Sequence, residues 1–296
     1  MRQTTINEIG NIIDLNGNQV LRMWNVDIPG GKRPLQHHRH FNFEIMYVNS
    51  GSGTYTTEST EYPILPGDVF VFSSNEFHCI TNAGKEGLQI TNLHFNPRFI
   101  WSSKSEVNTR IGLHFCFSHH SQFSNRIPSI DAPKAMQLLV QLKEELSSIA
   151  PECYLSVKAL LHLFLVALVR NYNYLDDNFS ISREQLHNIQ HTLSYIDEHF
   201  AEKITLQELS GLAGLTPTYF STLFKQVVGI TLWSYINSKR IDKAIRLITS
   251  EKVKENMLDI AIECGFNNTA NFNKTFKKIT GTTPKEYRNG GYIEIS

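Results

Sequence analysis

The sequence predicts an α+β chain of two domains: a small N-terminal β-barrel or sandwich with helices after it, and an all-α C-terminal domain with two helix-turn-helix motifs. Three observations carry that expectation. A segment near the C-terminus is duplicated. Short strand-like segments fill residues 31–100. Charge is also divided unevenly. Residues 201–290 hold 13 Lys and Arg against 8 Asp and Glu, and residues 1–200 hold 15 against 19, within a 296-residue chain that is formally neutral. An acidic part followed by a basic part fits one domain that senses and one that holds a polyanion. The length also suggests two domains.

The duplication is read directly from the residues. Phe220, Phe224, Lys225, Gly229, Thr231 and Tyr235 recur 52 residues later as Phe272, Phe276, Lys277, Gly281, Thr283 and Tyr287. The glycines in front, Gly214 and Gly265, are only 51 apart, so the second copy has one extra residue in its turn. Such a repeat points to two copies of one supersecondary unit. In the first copy, Leu206, Leu209, Leu212 and Ala213 have helical spacing. Gly214 then makes a turn, Thr216 caps a new helix and Pro217 opens it. In the second copy "MLDIAIECGF" is the first helix, and Asn267 or Asn268 caps the second. Phe220, Leu223, Phe224 and Val227 form one apolar stripe; Phe272, Phe276 and Ile279 form the other. The opposite faces carry Thr218, Ser221, Thr222 and Lys225, and then Thr269, Asn273, Lys274 and Lys277. Short polar and cationic side chains suit base edges and phosphates.

The segment from about Gln190 to Arg288 resembles the DNA-binding domain of AraC/XylS-type transcription regulators. Its tail "GFNNTANFNKTFKKITGTTPKEYR" follows that family's pattern, and "YINSKRIDKAIRLI" is similar to the family's central helix, with Arg240 and Ala244 in place. The resemblance implies two recognition helices in successive major-groove turns on one DNA face, about 34 Å apart. Expected phosphate contacts are Lys225, Arg240, Lys274 and Lys277; expected base readers are Thr218, Ser221, Thr222, Thr269 and Asn273, with Asn268 at the cap. The first helix lacks arginine, so bidentate guanine readout is not expected there.

"NGN" at 16–18 is a hairpin turn signal between the first strands. Trp24 lies in the alternating stretch "VLRMWNVDI", either lining a pocket or serving as a core aromatic. "FEIMYVNSG", "GTYTTES", "YPILPGDVFVF", "HCITNA" and "LQITNLHF" read as strands separated by turn chemistry. His38, His40 and Glu44 share parity, so an extended strand turns them to one side. With Gly51, Gly67 and His78 they resemble the two motifs of the cupin barrel, whose metal-binding members would use His38, His40, Glu44 and His78 as ligands. Three imidazoles and a carboxylate suit Mn, Fe, Ni or Zn. Ser73 and Asn75 depart from the second motif.

"HHRHFNFEIMYVNSGSGTY" also looks like the sensor domain of rhamnose- and arabinose-type regulators, where such a string lines a pocket for a small effector, commonly a sugar. Three roles therefore stand side by side: effector binding, a divalent metal, and hydrogen bonding within the barrel. The effector set would be Trp24, His38, His40, Glu44, Tyr47 and His78, with Trp24 or Tyr47 stacking on a sugar face. Asn92 and His94 lie on one face of "LQITNLHF" that points either inwards or to the surface. His114, His119 and His120 match no zinc spacing and read as exposed or capping residues.

Residues 131–172 read as two helices, the first capped by Asp131 with Met136, Leu139, Val140, Leu142 and Leu146 apolar. The second is apolar over most of its surface, and its longest apolar run, around 159–169, is too short to span a bilayer. These helices either form a dimer interface, as in many AraC relatives, or close the barrel. Residues 173–185 are a polar linker, and residues 186–290 form the DNA-binding domain, opening with Leu186, Ile189, Leu193 and Ile196 at helical spacing.

Cys79, Cys116, Cys153 and Cys264 are scattered, without C-x-x-C, as expected of reduced thiols in the cytoplasm. The N-terminus has no apolar core, so no signal peptide is expected. The expectation is a cytoplasmic, homodimeric transcription activator that is not an enzyme. Its partners are double-stranded DNA and a small effector, with no membrane, and RNA polymerase is a further candidate. The alternative is a metal-binding cupin enzyme fused to a DNA-binding module.

Overall fold

The structure, a computed structural model, describes residues 4–13, 19–33, 40, 42–74, 76–100, 119, 122–148, 150–175, 183–228, 230–249, 256–280 and 282–288; the side chains of Arg98, Arg183, Leu186 and Thr249 are not described. The hairpin turn at 16–18, His38, Asn75, His114, Cys116, His120 and most of the linker lie outside these residues. The chain forms two compact units, one holding residues 42–179 with the N-terminal strands, the other residues 180–294.

The first unit is a single eight-stranded sheet. Its strands are β1 (Thr5–Ile13), β2 (Gln19–Ile28), β3 (Gly31–Lys32), β4 (Phe43–Thr57), β5 (Glu61–Ile64), β6 (Val69–Phe72), β7 (His78–Phe95) and β8 (Arg126–Ile127). The order is β1-β2-β7-β4-β6-β8, with β3 beside β7 and β5 beside β4. Four segments expected as separate strands are two: "FEIMYVNSG" and "GTYTTES" make β4, and "HCITNA" and "LQITNLHF" make β7. Bulges bend these strands without breaking their pairing, at Val48/Ser50, Gly51/Gly53 and Thr54/Tyr55. Gly51 has φ +88°, and a Cβ there would meet the Gly87 carbonyl at 2.2 Å, so only glycine fits the bend.

The bends fold the sheet over its own apolar face. Met46, Val48 and Tyr55 of β4, Ile80, Leu88 and Ile90 of β7, Trp24, Val26 and Ile28 of β2, and Phe70 and Phe72 of β6 belong to one buried cluster. Among the described residues, the edge strands β1 and β8 do not pair with each other, so the folded sheet is open along its hydrogen bonds rather than closed into a ring.

Helices α1 (Pro133–Ser148) and α2 (Cys153–Asn171) pack on each other, and α1 also packs on β1. The cap of α1 departs from expectation. The first helical bond runs from Met136 N–H to the Ala132 carbonyl, and the Asp131 N–H belongs to the preceding turn with Pro128. Val140 is exposed rather than core. Helix α2 is longer than its central apolar run, and its 19 residues with hydropathy 1.7 match a membrane span in length and composition. It buries Val157, Leu161, Phe164, Leu165 and Leu168, the pattern of a helix packed on protein along one side.

The second unit contains α3 (Arg183–His199), α4 (Leu206–Leu212), α5 (Pro217–Val228), α6 (Leu232–Thr249), α7 (Met257–Glu263), α8 (Thr269–Thr280) and α9 (Pro284–Arg288). Thr205 and Glu208 form a capping box on α4, Asn256 caps α7, and Asn268 accepts from the Asn271 N–H at the start of α8. The repeated aromatics make the same contacts twice. Phe224 meets Phe220 at 5.8 Å and Tyr235 at 5.7 Å; Phe276 meets Phe272 at 5.7 Å and Tyr287 at 5.5 Å. Each tyrosine contact is edge-to-face, at 80° and 84°. Leu212, expected in the apolar stripe of α4, is 38% exposed. A buried ion pair, Lys239 Nζ to Asp197 Oδ1 at 2.8 Å, ties α6 to α3.

The two turn glycines differ. Gly214 has φ +65° and open space where a Cβ would stand, whereas at Gly265, φ +85°, a Cβ would lie 2.5 Å from the Ala201 carbonyl oxygen. Gly214→Ala is expected to cost about 1–2 kcal/mol, the backbone strain alone. Gly265→Ala adds a backbone clash and should cost at least about 1 kcal/mol more. Urea denaturation checks this, and equal losses would contradict it.

Candidate effector site and nucleic-acid interface

Strand register decides which polar side chains share the sheet's inner face. Glu44 on β4 stands opposite His94 on β7 and Phe72 on β6, and Trp24 on β2 stands opposite Asn92 on β7. His78 approaches the same carboxylate from the far end of β7. Glu44 Oε2 is 2.8 Å from His78 Nε2 and 2.9 Å from His94 Nε2. All three side chains are at most 5% exposed. The His78 Nδ1 lies 2.9 Å from the Glu76 carbonyl, which can only accept, so Nδ1 carries a hydrogen. The His78–Glu44 contact then needs one further proton, held either as imidazolium against carboxylate or as a carboxyl group against neutral imidazole. Phe72 stacks on the His78 ring at 4.2 Å. Burial, and then the Glu44 charge, push the Tyr55 phenol well above its ordinary value.

Trp24 is 1% exposed, sits edge-on to His94 at 4.6 Å, and is covered by the Arg22 guanidinium at 4.6 Å. Its indole N–H has no hydrogen-bond partner among the described residues. Such a buried donor is costly unless something accepts from it.

Of the residues expected in this site, Trp24, Glu44 and His78 share the interior. His40 is half-buried. Tyr47 is corrected: it pairs with Thr91 and Val69 on the opposite face from Glu44, Met46 and Val48, so it cannot stack on anything held by Glu44. His94 is more central than sequence reading made it. The alternation of "LQITNLHF" offers two faces, and only the pairing of Glu44 with His94 selects one.

A second polar group surrounds Glu76. Its carboxylate accepts from the Ser73 N–H and Asn125 Nδ2, both at 2.8 Å, and lies 3.2 Å from His119 Nε2. His119 is thus an ion-pair partner rather than a capping residue. Burial pushes the Glu76 carboxyl up, but His119 and the two hydrogen bonds outweigh it, so the net shift is downward. A surface cleft of about 480 Å³ lies elsewhere in this unit, lined by Phe123, Arg126, Asp131, Lys134 and Tyr172 among others.

In the second unit, α5 exposes Thr218, Tyr219, Thr222, Lys225 and Gln226, with Ser221 half-buried. Helix α8 exposes Asn271, Asn273, Lys274, Lys277 and Lys278, with Thr269 half-buried and Asn268 exposed at its cap. Tyr219, Gln226, Asn271 and Lys278 are exposed beside the expected stripes. Arg240 is corrected. Its Nε and Nη2 donate to the Phe200 and Glu202 carbonyls at 2.7 and 3.1 Å, and its guanidinium lies over Phe266. It ties the α3–α4 connection to α6 rather than standing free for phosphate.

The chain matches two family models, an AraC-like ligand binding domain over residues 33–165 and a helix-turn-helix domain over residues 209–290. It is similar to the probable transcriptional regulator LumQ of Photobacterium leiognathi, 28% identical over 85% of this chain and 91% of the relative. It is 25% identical to the HTH-type transcriptional activator RhaS of Escherichia fergusonii, over 89% of this chain and 90% of the relative. The transposon Tn10 TetD protein of Escherichia coli is 34% identical over 36% of this chain and 76% of its own length. Among solved structures, ToxT of Vibrio cholerae, with an unsaturated fatty acid bound, shares the fold with a TM-score of 0.57 at 14% identity, covering 99% of this chain and 100% of that one.

The depressed Glu76 carboxyl makes pH a probe of the second polar group. Its stabilising contribution is fully present above the ordinary glutamate value and is lost as pH falls through the lowered one. Glu76→Gln should therefore destabilise the protein more at pH 7 than at pH 3. Urea denaturation at both values checks it, and a pH-independent loss would contradict it.

Proposed function

We propose, for a chain that belongs to the AraC family of DNA-binding transcription regulators, that a polyhydroxylated small molecule, a sugar or sugar derivative, binds among Glu44, His78, His94, Asn92 and Trp24. Its binding raises transcription of the target genes. The observation that carries this reading is a buried Glu44 carboxylate beside two imidazoles and an indole N–H with no acceptor among the described residues. Sugar hydroxyls both donate and accept, so one ligand can donate to Glu44 and accept from Trp24. A second reading, a divalent metal on Glu44 and the imidazoles, is favoured by the closeness of their ligand atoms.

The protein works in the cytoplasm as a homodimer, and as an activator it also touches RNA polymerase. Helix α2 supports the dimer: Leu155 and Leu163 are 62% and 55% exposed, and Ala159 is exposed between them. A second copy of this helix would cover that stripe. On DNA, Lys225, Lys274 and Lys277 contact phosphates, and Thr218, Ser221, Thr222, Thr269 and Asn273 face base edges. For a regulator of this kind, an effector must favour one state by about 1–3 kcal/mol.

Thermal shift against sugars, sugar acids, sugar phosphates and unsaturated fatty acids, with and without chelator, tests the effector. A sugar at a hundredfold its Kd should add about 2.7 kcal/mol of stability, and Glu44→Gln and Trp24→Phe should lose the response. Stabilisation by fatty acids alone would overturn the sugar reading; stoichiometric metal with strong destabilisation by chelator would favour the second. For the interface, Lys274→Ala should weaken DNA binding across sequences and lower the salt slope by about 1 with unchanged melting. Unaltered affinity and slope in anisotropy titrations would remove that lysine from the interface.

A further inference from the structure

Two of the hydroxyl groups on α5 are already committed. Ser221 Oγ donates to the Pro217 carbonyl at 2.9 Å, and Thr222 Oγ1 donates to the Thr218 carbonyl at 3.2 Å. Both are bonds back to the residue four earlier on the same helix. A hydroxyl has one proton, so neither of these two groups has a donor left for a base. Thr222 is exposed, and with its oxygen turned to the helix backbone its γ-methyl is the group that remains for the groove. No arginine lies on α5, and its one cation, Lys225, stands nearly a turn further along, at the C-terminal end of the helix.

The four base pairs respond differently to such a surface. Guanine presents only acceptors in the major groove, N7 and O6, and needs a donor. Thymine presents a C5-methyl, which an apolar group can cover. We infer that Thr222 is a specificity-determining residue, which selects thymine through methyl–methyl contact. The inference rests on the reading of α5 as a base-reading helix and adds the base that it reads.

The test begins with duplexes selected from a random pool by the full-length protein. Each thymine of the selected site is replaced in turn by deoxyuridine, which removes only the C5-methyl. Affinity should fall about fourfold at one or two positions, the size expected for one buried methyl group. Thr222→Val keeps the methyl and loses the hydroxyl, so it should keep that penalty. Thr222→Ser keeps the hydroxyl and loses the methyl, so it should bind thymine and deoxyuridine duplexes equally. Insensitivity of the native protein at every position would overturn the inference, as would an undiminished penalty in Thr222→Ser. Lys225→Ala separates the two layers of the reading. If it and both Thr222 variants bind the selected duplexes as the native protein does, α5 does not touch DNA and the reading beneath the inference fails. If only the deoxyuridine effect is missing, α5 touches DNA but does not read thymine.

Discussion

Each helix expected in the major groove is held by the same aromatic triad: two phenylalanines one helical turn apart and a tyrosine set edge-on to the second. Phe220, Phe224 and Tyr235 do this for α5; Phe272, Phe276 and Tyr287 do it for α8. Two phenylalanine rings buried on one side of a 12-residue helix, with a tyrosine ring edge-on to the second, fix its rotation about its own axis, and that rotation decides which side chains reach solvent. The exposed Thr218, Thr222 and Lys225 of α5, and Asn273, Lys274 and Lys277 of α8, are what remains once the phenylalanines are buried. In the proposed reading, affinity for DNA and the choice of bases depend on apolar packing behind the helix as well as on the polar residues in front.

The sheet unit is governed by a different constraint. A carboxylate buried as fully as Glu44 is tolerable only with partners, and His78 and His94 supply them from two ends of one bent strand. The bend exists because β4 and β7 bulge together near Gly51. Backbone geometry at a glycine thus brings two distant histidines to one oxygen. This is an expensive arrangement for a structural core that could have used leucine, which is an argument that the polar group serves a ligand.

The helical half of the molecule was legible in the sequence because its signals are local. Caps, turn glycines and the 52-residue repeat each state one element, and Asn268, Pro217 and Gly265 stand where expected. Local signals also fail in a recognisable way. Asp131 looks like a cap, but the chain makes a turn there and the helix starts later. Arg240 looks like a phosphate ligand, but two carbonyls from a segment some forty residues away claim it. The sheet was less legible because register is not local. Parity grouped His38, His40 and Glu44, and it also sets Tyr47, three residues beyond Glu44 on one strand, on the other face. It could not show that His94 completes the cluster, because that comes from pairing between strands far apart in sequence.

A footprint on a selected duplex tests the claim that the two triads present equivalent DNA-reading helices. Methylation interference at major-groove guanines, with deoxyuridine interference at thymines, should show two contacted patches on one face, about 10 base pairs apart. Phe224→Ala should erase one patch and Phe276→Ala the other. A single patch, or loss of both patches with either variant while the fold is retained, would contradict it.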